Sequence, residues 1–364
     1  MRKNRFINRF DVSALAPENP TRLRPSTWLV GEDVQREGNV ILANTTELHR
    51  TKLGQVKPIP RSRLRRVLMP LDGSPFAERA IPIAVEIARR AGAELQIVHV
   101  DSALGHQVTN DQLAWSSVFL DYHAELRRHK HAYIDRIAGR IGQESGVRVT
   151  PIVLENRDVA AALRKAASAE VDLVVMAAHG EGSLRRWNPG GTLDQTIRGL
   201  PVPLLVVGAD GTFAAPIPER VQRILIALDG SRAAEQVLSI ATTLGGFMAS
   251  EYVLLRVVRL SAAFGEQSDN FHSCELRQAR ERVQIAAARR YMRRVAKRME
   301  SYSSVVETRV VVEQKPLARS IAIHAQNYGA DLIALATRKG VRRQGSIADR
   351  VVQFASMPVL ISAA

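Results

Sequence analysis

Arg65-Arg66-Val67-Leu68-Met69-Pro70-Leu71-Asp72-Gly73-Ser74 returns 157 residues later as Gln222-Arg223-Ile224-Leu225-Ile226-Ala227-Leu228-Asp229-Gly230-Ser231, with six of ten positions identical. Two further landmarks recur in the same order. Asp172-Leu173-Val174-Val175-Met176-Ala177 matches Asp331-Leu332-Ile333-Ala334-Leu335-Ala336, and Pro203-Leu204-Leu205-Val206-Val207 matches Pro358-Val359-Leu360-Ile361-Ser362. A spacing of about 155 residues is far longer than a solenoid repeat, so the chain carries a whole domain twice.

Inside each copy, short apolar runs alternate with amphipathic stretches, the signature of βαβ units around a parallel sheet covered on both faces. Strands are expected over 67–71, 95–100, 147–154, 173–177 and 204–207, with helices over 75–91, 110–142, 158–167 and 192–198. The second copy repeats the strands over 224–228, 253–258, 307–312, 332–336 and 359–361. The expected fold is therefore α/β: two tandem flavodoxin-like, Rossmann-like domains, each a five-stranded parallel sheet in the order 3-2-1-4-5. Ligands in such sheets bind beyond the strand carboxyl ends, between strands 1 and 4. Both Asp-Gly-Ser turns and the loops opened by His179-Gly180 and Lys339-Gly340 fall there.

The boundaries that follow are an extension over 1–62, a first domain over 63–208, a linker over 209–220 rich in Gly, Ala and Pro, and a second domain over 221–364. Residues 1–66 hold 14 Lys and Arg against 6 Asp and Glu, about half of the net +15 of the chain. The extension contains Pro17, Pro20, Pro25, Pro58 and Pro60 and no sustained helix or strand period, which reads as weak order. Excess positive charge favours phosphates, nucleic acid or anionic surfaces without choosing among them. Cys274 is the sole cysteine, so neither an intrachain disulfide nor a thiolate metal cluster is possible. With no apolar stretch of membrane-spanning length, the expectation is a cytoplasmic protein without a membrane span.

The strand ending in Asp-Gly-Ser, the Asp-Leu-Val-Val-Met strand before a Gly-rich loop, and Gly190-Gly191-Thr192 leading to Pro203-Leu204-Leu205-Val206-Val207 together resemble the universal stress protein family, in tandem. That resemblance implies ATP, or another adenine nucleotide, held by a Gly-x2-Gly-x9-Gly-Ser/Thr loop after strand 4, with Mg2+ only as the nucleotide's companion. It further implies Asp72 against the base or sugar, the backbone near Val100 at the adenine edge, and Gly180, Gly190, Gly191 and Thr192 at the phosphates. In the second copy the corresponding residues are Asp229, Val257, Lys339, Gly340, Gly345 and Ser346. The first copy departs from the motif by having Ala177 at the first glycine and Gly191 in place of the Ser, with Thr192 next to it as a substitute hydroxyl. The second has Ala336 and Lys339 at both early glycines and a loop four residues shorter. Any nucleotide site is therefore expected mainly in the first copy.

Structural readings stand beside these. Ser74 before Pro75 is a good helix N-cap, while Thr192-x-x-Gln195 and Ser346-x-x-Asp349 read as capping boxes. His179 has no nucleophile or carboxylate placed by sequence to complete a triad, and there is no Walker signature, so the expected role is non-enzymatic regulation through binding. The two copies are expected to act as an intramolecular pseudo-dimer, with a homodimer as a further option. The alternative is a protein that meets nucleic acid or ribosome through its extension and the Arg-rich helix at 275–300. In that helix Val283, Ala287, Tyr291, Val295 and Met299 recur every four residues, so one face can pack on the sheet.

Overall fold

The computed structural model describes residues 36–37, 40–41, 47–48, 63–102, 116–168, 170–178, 192–208, 220–259, 271–303, 305–337 and 346–363. The first copy comprises strands β4 (Arg66–Pro70), β5 (Glu94–Asp101), β6 (Val149–Glu155), β7 (Leu173–Ala177) and β8 (Leu204–Val207). Its helices are α1 (Pro75–Glu78), α2 (Ile81–Ala91), α3 (Ser116–Ser145), α4 (Val159–Ala167) and α5 (Thr192–Gly199). The second copy has strands β9 (Arg223–Ala227), β10 (Glu251–Val258), β11 (Val306–Val312), β12 (Leu332–Thr337) and β13 (Val359–Ala363). Helices α6 (Val237–Met248), α7 (Phe271–Met299), α8 (Leu317–Asn327) and α9 (Ile347–Phe354) accompany them.

Each set of five strands is parallel, and in chain order each reads third, second, first, fourth, fifth across the sheet. The two sets are not separate sheets. The fifth strands, β8 and β13, pair antiparallel, with Leu205 opposite Leu360. Those two leucines are equivalents in the repeat, so a pseudo-two-fold axis passes through their pair. Apolar side chains continue across the seam on both faces. Leu205, Val207 and Leu360 belong to the core layer under α2, α3, α6 and α7, and Leu204, Val206, Val359 and Ile361 to the layer under α4, α5, α8 and α9. Arg90 on α2 also donates to the carbonyl of Phe247 on α6 at 3.0 Å. Fully burying each such aliphatic side chain contributes about 1.5–3 kcal/mol, which makes the seam part of the core.

The recurrent Asp of the third landmark has a structural cause. Asp172 Oδ2 accepts from the backbone N–H groups of Arg65 and Arg66 at 2.6 and 3.0 Å, and Asp331 Oδ2 accepts from Gln222 and Arg223 at 2.8 and 2.9 Å. Each ties the amino end of strand 4 to that of strand 1. Arg66 and Arg223 then pair with Glu94 and Glu251 at the start of strand 2, at 3.0 and 2.6 Å.

Two sequence expectations are corrected, and the extension adds short strands that periodicity could not show. The single helix expected over 75–91 is broken between α1 and α2, because Pro82 has no N–H for the carbonyl one turn back and fits only the first turn of a helix. The basic extension, read as having no sustained strand period, adds the two-residue strands β1 (Arg36–Glu37), β2 (Val40–Ile41) and β3 (Glu47–Leu48), none of them sustained. β1 and β2 pair with each other, and β3 adds antiparallel to β11, so the second copy's sheet is not wholly parallel. Edge pairing uses backbone groups and needs no side-chain pattern, so periodicity does not reveal it. On the Arg-rich helix α7, Val283 is 66% exposed and Ala287 is exposed as well. The packing face is Ala288, Tyr291, Met292, Val295, Ala296 and Met299. A strict four-residue step rotates about 40° per step around a helix of 3.6 residues per turn, so the row leaves the buried face. Among the described residues no helix is long and apolar enough to cross a membrane.

Candidate functional site

Asp72 and Asp229 each lie two residues beyond the central strand of their copy, β4 and β9, at its carboxyl end. Both build the same turn. Asp72 Oδ1 accepts from the Ser74 N–H at 2.9 Å, and Asp229 Oδ1 accepts from the Ser231 N–H at 2.8 Å. Ser74 Oγ and Ser231 Oγ in turn accept from the backbone N–H of Ala77 and Ala234 at 3.2 and 3.1 Å. Gly73 and Gly230 have φ of +90° and +85°, a backbone region that L side chains rarely adopt, which accounts for glycine between the two polar residues. Ser74 is thus a helix cap, with Pro75 opening α1 behind it.

In the second copy the turn borders a cleft of about 90 Å³. Ala227, Leu228 and Asp229 from the end of β9, Leu255, Arg256 and Val257 from β10, and Leu335, Ala336 and Thr337 from β12 line it, with Ile347 of α9 at its edge. The walls are mostly aliphatic, and the charged groups are Asp229 and Arg256. Apolar sides able to take a flat ring, with few polar groups to orient it, suit a heterocycle such as adenine. Val257, expected at this site, lines the cleft; Asp229 does too.

Arg256 escaped the sequence reading. Its Nη1 donates to the Leu228 carbonyl at 3.3 Å, behind the Asp-Gly-Ser turn. Burial pulls this guanidinium below its ordinary pKa, and the nearby Asp229 carboxylate opposes that shift. His99 stands at the same point of the first copy, with its Nδ1 2.8 Å from the Leu71 carbonyl. Since a carbonyl only accepts, Nδ1 carries the proton. The signal was present in the sequence: His99 and Arg256 are 157 residues apart, the spacing of the two turns. Val100 is half-buried beside His99 and packs against the core layer under α4 and α5.

The remaining expected residues divide by where they fall. Thr192 is the first residue of α5, exposed, with its carbonyl accepting from Thr196 Oγ1 at 2.6 Å. Ser346 caps α9 in a reciprocal box: its Oγ accepts from the Asp349 N–H at 3.1 Å while Asp349 Oδ2 accepts from the Ser346 N–H at 2.9 Å. Replacing Ser346 with alanine is expected to cost about 1 kcal/mol, read as a lowered urea midpoint with an unchanged slope. His179, Gly180, Gly190, Gly191, Lys339, Gly340 and Gly345 lie outside the described residues. No group of three or more His, Cys, Asp or Glu side chains able to hold a metal is found among the described residues.

Two doubly wound halves, joined through their fifth strands and each presenting an Asp-Gly-Ser turn at the switch point of its sheet, define a tandem α/β protein, with a cleft beside that turn in the second copy. The profile of the universal stress protein family matches residues 63–208 and again 220–362, and the chain belongs to that family. A universal stress protein of Mycobacterium tuberculosis is 30% identical over 154 residues, covering 41% of this chain and 47% of its own length. A Mycobacterium bovis universal stress protein matches over the same extent. The chain spans about half the length of these curated relatives. Among solved structures, a universal stress protein from Archaeoglobus fulgidus DSM 4304 superposes with a TM-score of 0.55 at 16% identity, over 82% of this chain and 96% of its own. A functionally unknown protein from Pseudomonas aeruginosa PAO1 gives 0.52 at 15% identity, over 82% and 92%. These likenesses concern the fold.

Proposed function

We propose that this universal stress protein is a regulator that binds an adenine nucleotide, chiefly in its first copy, and acts through contacts with partners rather than through turnover. The observation that carries the reading is the Asp-Gly-Ser turn at the carboxyl end of the central strand, followed in the first copy by a loop with the nine-residue spacing to Gly190-Gly191-Thr192. Asp72 would meet the base or ribose, the β5 backbone near Val100 the adenine edge, and backbone N–H groups at Gly180, Gly190 and Gly191 the phosphates, with Thr192 at the helix start. Mg2+ would arrive with the nucleotide.

The second copy departs from the first at this point of the sheet. Its cleft carries the Arg256 guanidinium where the first copy has the smaller imidazole of His99, and its loop is four residues shorter with Lys339 at a glycine position. Calorimetric titration of the full chain with ATP is the test. Binding is expected for the wild type, loss of binding for Gly190→Val, and little change for Gly345→Val. Thermal unfolding of both variants separates loss of a site from loss of a fold, since a β-branched residue strains a glycine-only conformation. Failure of the wild type to bind ATP, ADP or AMP at millimolar concentration would remove the proposal.

A further inference from the structure

The duplication supplies an internal control for charge. α3 and α7 occupy the same place in the two copies, at 30 and 29 residues, and pack against equivalent strands. Their buried faces correspond: Ile134, Ile137, Ala138 and Ile141 on α3, and Met292, Val295, Ala296 and Met299 on α7. Their charges do not. α3 has five Lys and Arg against four Asp and Glu, a net +1, whereas α7 has nine against two, a net +7.

On α3 the cations are met locally: Lys130 by Asp101 at 2.5 Å, Arg127 by Glu155 at 3.5 Å, and Arg128 by Glu125. On α7 no acidic residue occurs between Glu281 and Glu300. Arg298 reaches Glu235 at 2.5 Å, which matches the pairing of Arg140 with Glu78 at 4.0 Å in the first copy. The fold therefore accounts for Arg298. Arg294 lies over the Tyr291 ring at 5.5 Å. Packing on the sheet does not call for Arg282, Arg289, Arg290 and Lys297, because α3 occupies the same position without cations at the matching places. At about 100° per residue, Arg282, Arg289, Arg290 and Lys297 fall within an arc of about 100° that starts at the edge of the buried face and runs across the outer side, with the exposed Arg293 inside it, along about 22 Å of helix. Arg282, Arg290 and Lys297 are exposed and Arg289 is half-exposed. Like charges one turn apart repel by a few tenths of a kcal/mol each, so the stripe is a small cost to the helix itself.

From this geometry we infer that the outer face of α7 is a docking surface for the phosphate backbone of a nucleic-acid duplex, separate from the nucleotide cleft. Three observations favour that partner. The stripe is dominated by arginine, whose planar fork matches phosphate oxygens two at a time. Along 282–297 Val283 is the one large apolar side chain exposed, and the other exposed positions are Gln284, alanines and cations, too little apolar surface for the anchor that centres a protein–protein interface. The helix's tyrosine, Tyr291, is buried and unable to stack on unpaired bases, so contact is with backbone and not with splayed single strands.

The test is fluorescence anisotropy of the full chain with a labelled 20-base-pair DNA duplex, across a salt series. The variant replaces Arg282, Arg289, Arg290 and Lys297 with glutamine, which keeps helix propensity, and circular dichroism checks its fold. The control is Arg127→Gln with Arg128→Gln on α3. Four phosphate contacts correspond to a log–log salt slope shallower by about 3–4 in the α7 variant, with affinity at low salt reduced about tenfold or more. The α3 control should match the wild type in both. Independently of folding, the duplex should protect Arg289 and Arg290 of the wild type from arginine-specific modification. Equal affinity and slope in wild type and α7 variant, absence of protection, or displacement of the duplex by polyglutamate at equal charge would overturn the proposal, the last outcome favouring an acidic protein.

Discussion

Glu313→Ala is expected to destabilise the protein by about 3 kcal/mol at neutral pH, more than any surface substitution. Glu313 stands just past β11, its backbone N–H donating to the Val258 carbonyl at 3.2 Å, and its side chain turns in against α8. Ser320 Oγ donates to one carboxylate oxygen, and His324 Nε2 lies 2.9 Å from the other. An ionised carboxylate only accepts, so Nε2 carries the proton. Glu313, Ser320 and His324 are 8%, 0% and 6% exposed, and His324 stacks on Tyr328 with centroids 5.6 Å apart. Alanine at 313 leaves two buried donors without their acceptor, at about 1–3 kcal/mol each.

The same cluster sets an acid limb. Burial pushes the Glu313 carboxyl up, but the hydrogen bonds from Ser320 and His324, helped by the charges of His324 and Lys315, outweigh it and hold the group below its ordinary 4.5. A carboxyl depressed in the folded state stabilises fully above its unfolded pKa, and that contribution is lost as pH falls through the folded value. Urea midpoints measured from pH 6 down to pH 3 should therefore fall more steeply for the wild type than for Glu313→Gln, which has nothing to titrate at this position. Parallel pH profiles for the two proteins would show that Glu313 is not held in the ionised form.

Little of this was visible in the sequence, and the reason is geometric. Glu313 and His324 are eleven residues apart across a strand-to-helix loop, and their equivalents in the first copy are Asn156, whose Oδ1 accepts from the Asp158 N–H, and Ala166. Neither spacing nor residue type marks the pair. The inner strands were legible because each is a short apolar run buried on both faces, and the Asp-Gly-Ser turns because glycine at positive φ and a side-chain cap are demands a sequence displays. The joining of β8 to β13 and the addition of β3 to β11 were not, since both rest on backbone pairing at a sheet edge. At the candidate site, Asp229 and Val257, which the family resemblance implied, line the cleft, while Arg256 required the two copies to be read against each other.

That comparison also exposes a compensated pair in the core. Tyr252 on β10 is wholly buried, and Gly245 on α6 lies against its ring: a Cβ at 245 would overlap the Tyr252 hydroxyl and sit 2.8 Å from its Cζ. The first copy holds Ala88 and Leu95 at the equivalent positions of α2 and β5, both fully buried. One copy pairs a missing methyl with a phenol ring, and the other a methyl with a branched aliphatic chain. Gly245→Ala alone gains about 1 kcal/mol of helix propensity and meets an overpacking cost of up to about 3 kcal/mol or more, because the ring has no open space to enter; the expected net loss is about 2 kcal/mol. Tyr252→Leu alone opens a cavity, also costing about 2 kcal/mol or more. The double variant recreates the first copy's pair. It is expected to unfold within about 1 kcal/mol of the wild type, a coupling of about 3 kcal/mol in a double-mutant cycle read from urea midpoints. Additive losses would show that the helix and strand adjust independently, and that the glycine is not there to admit the ring.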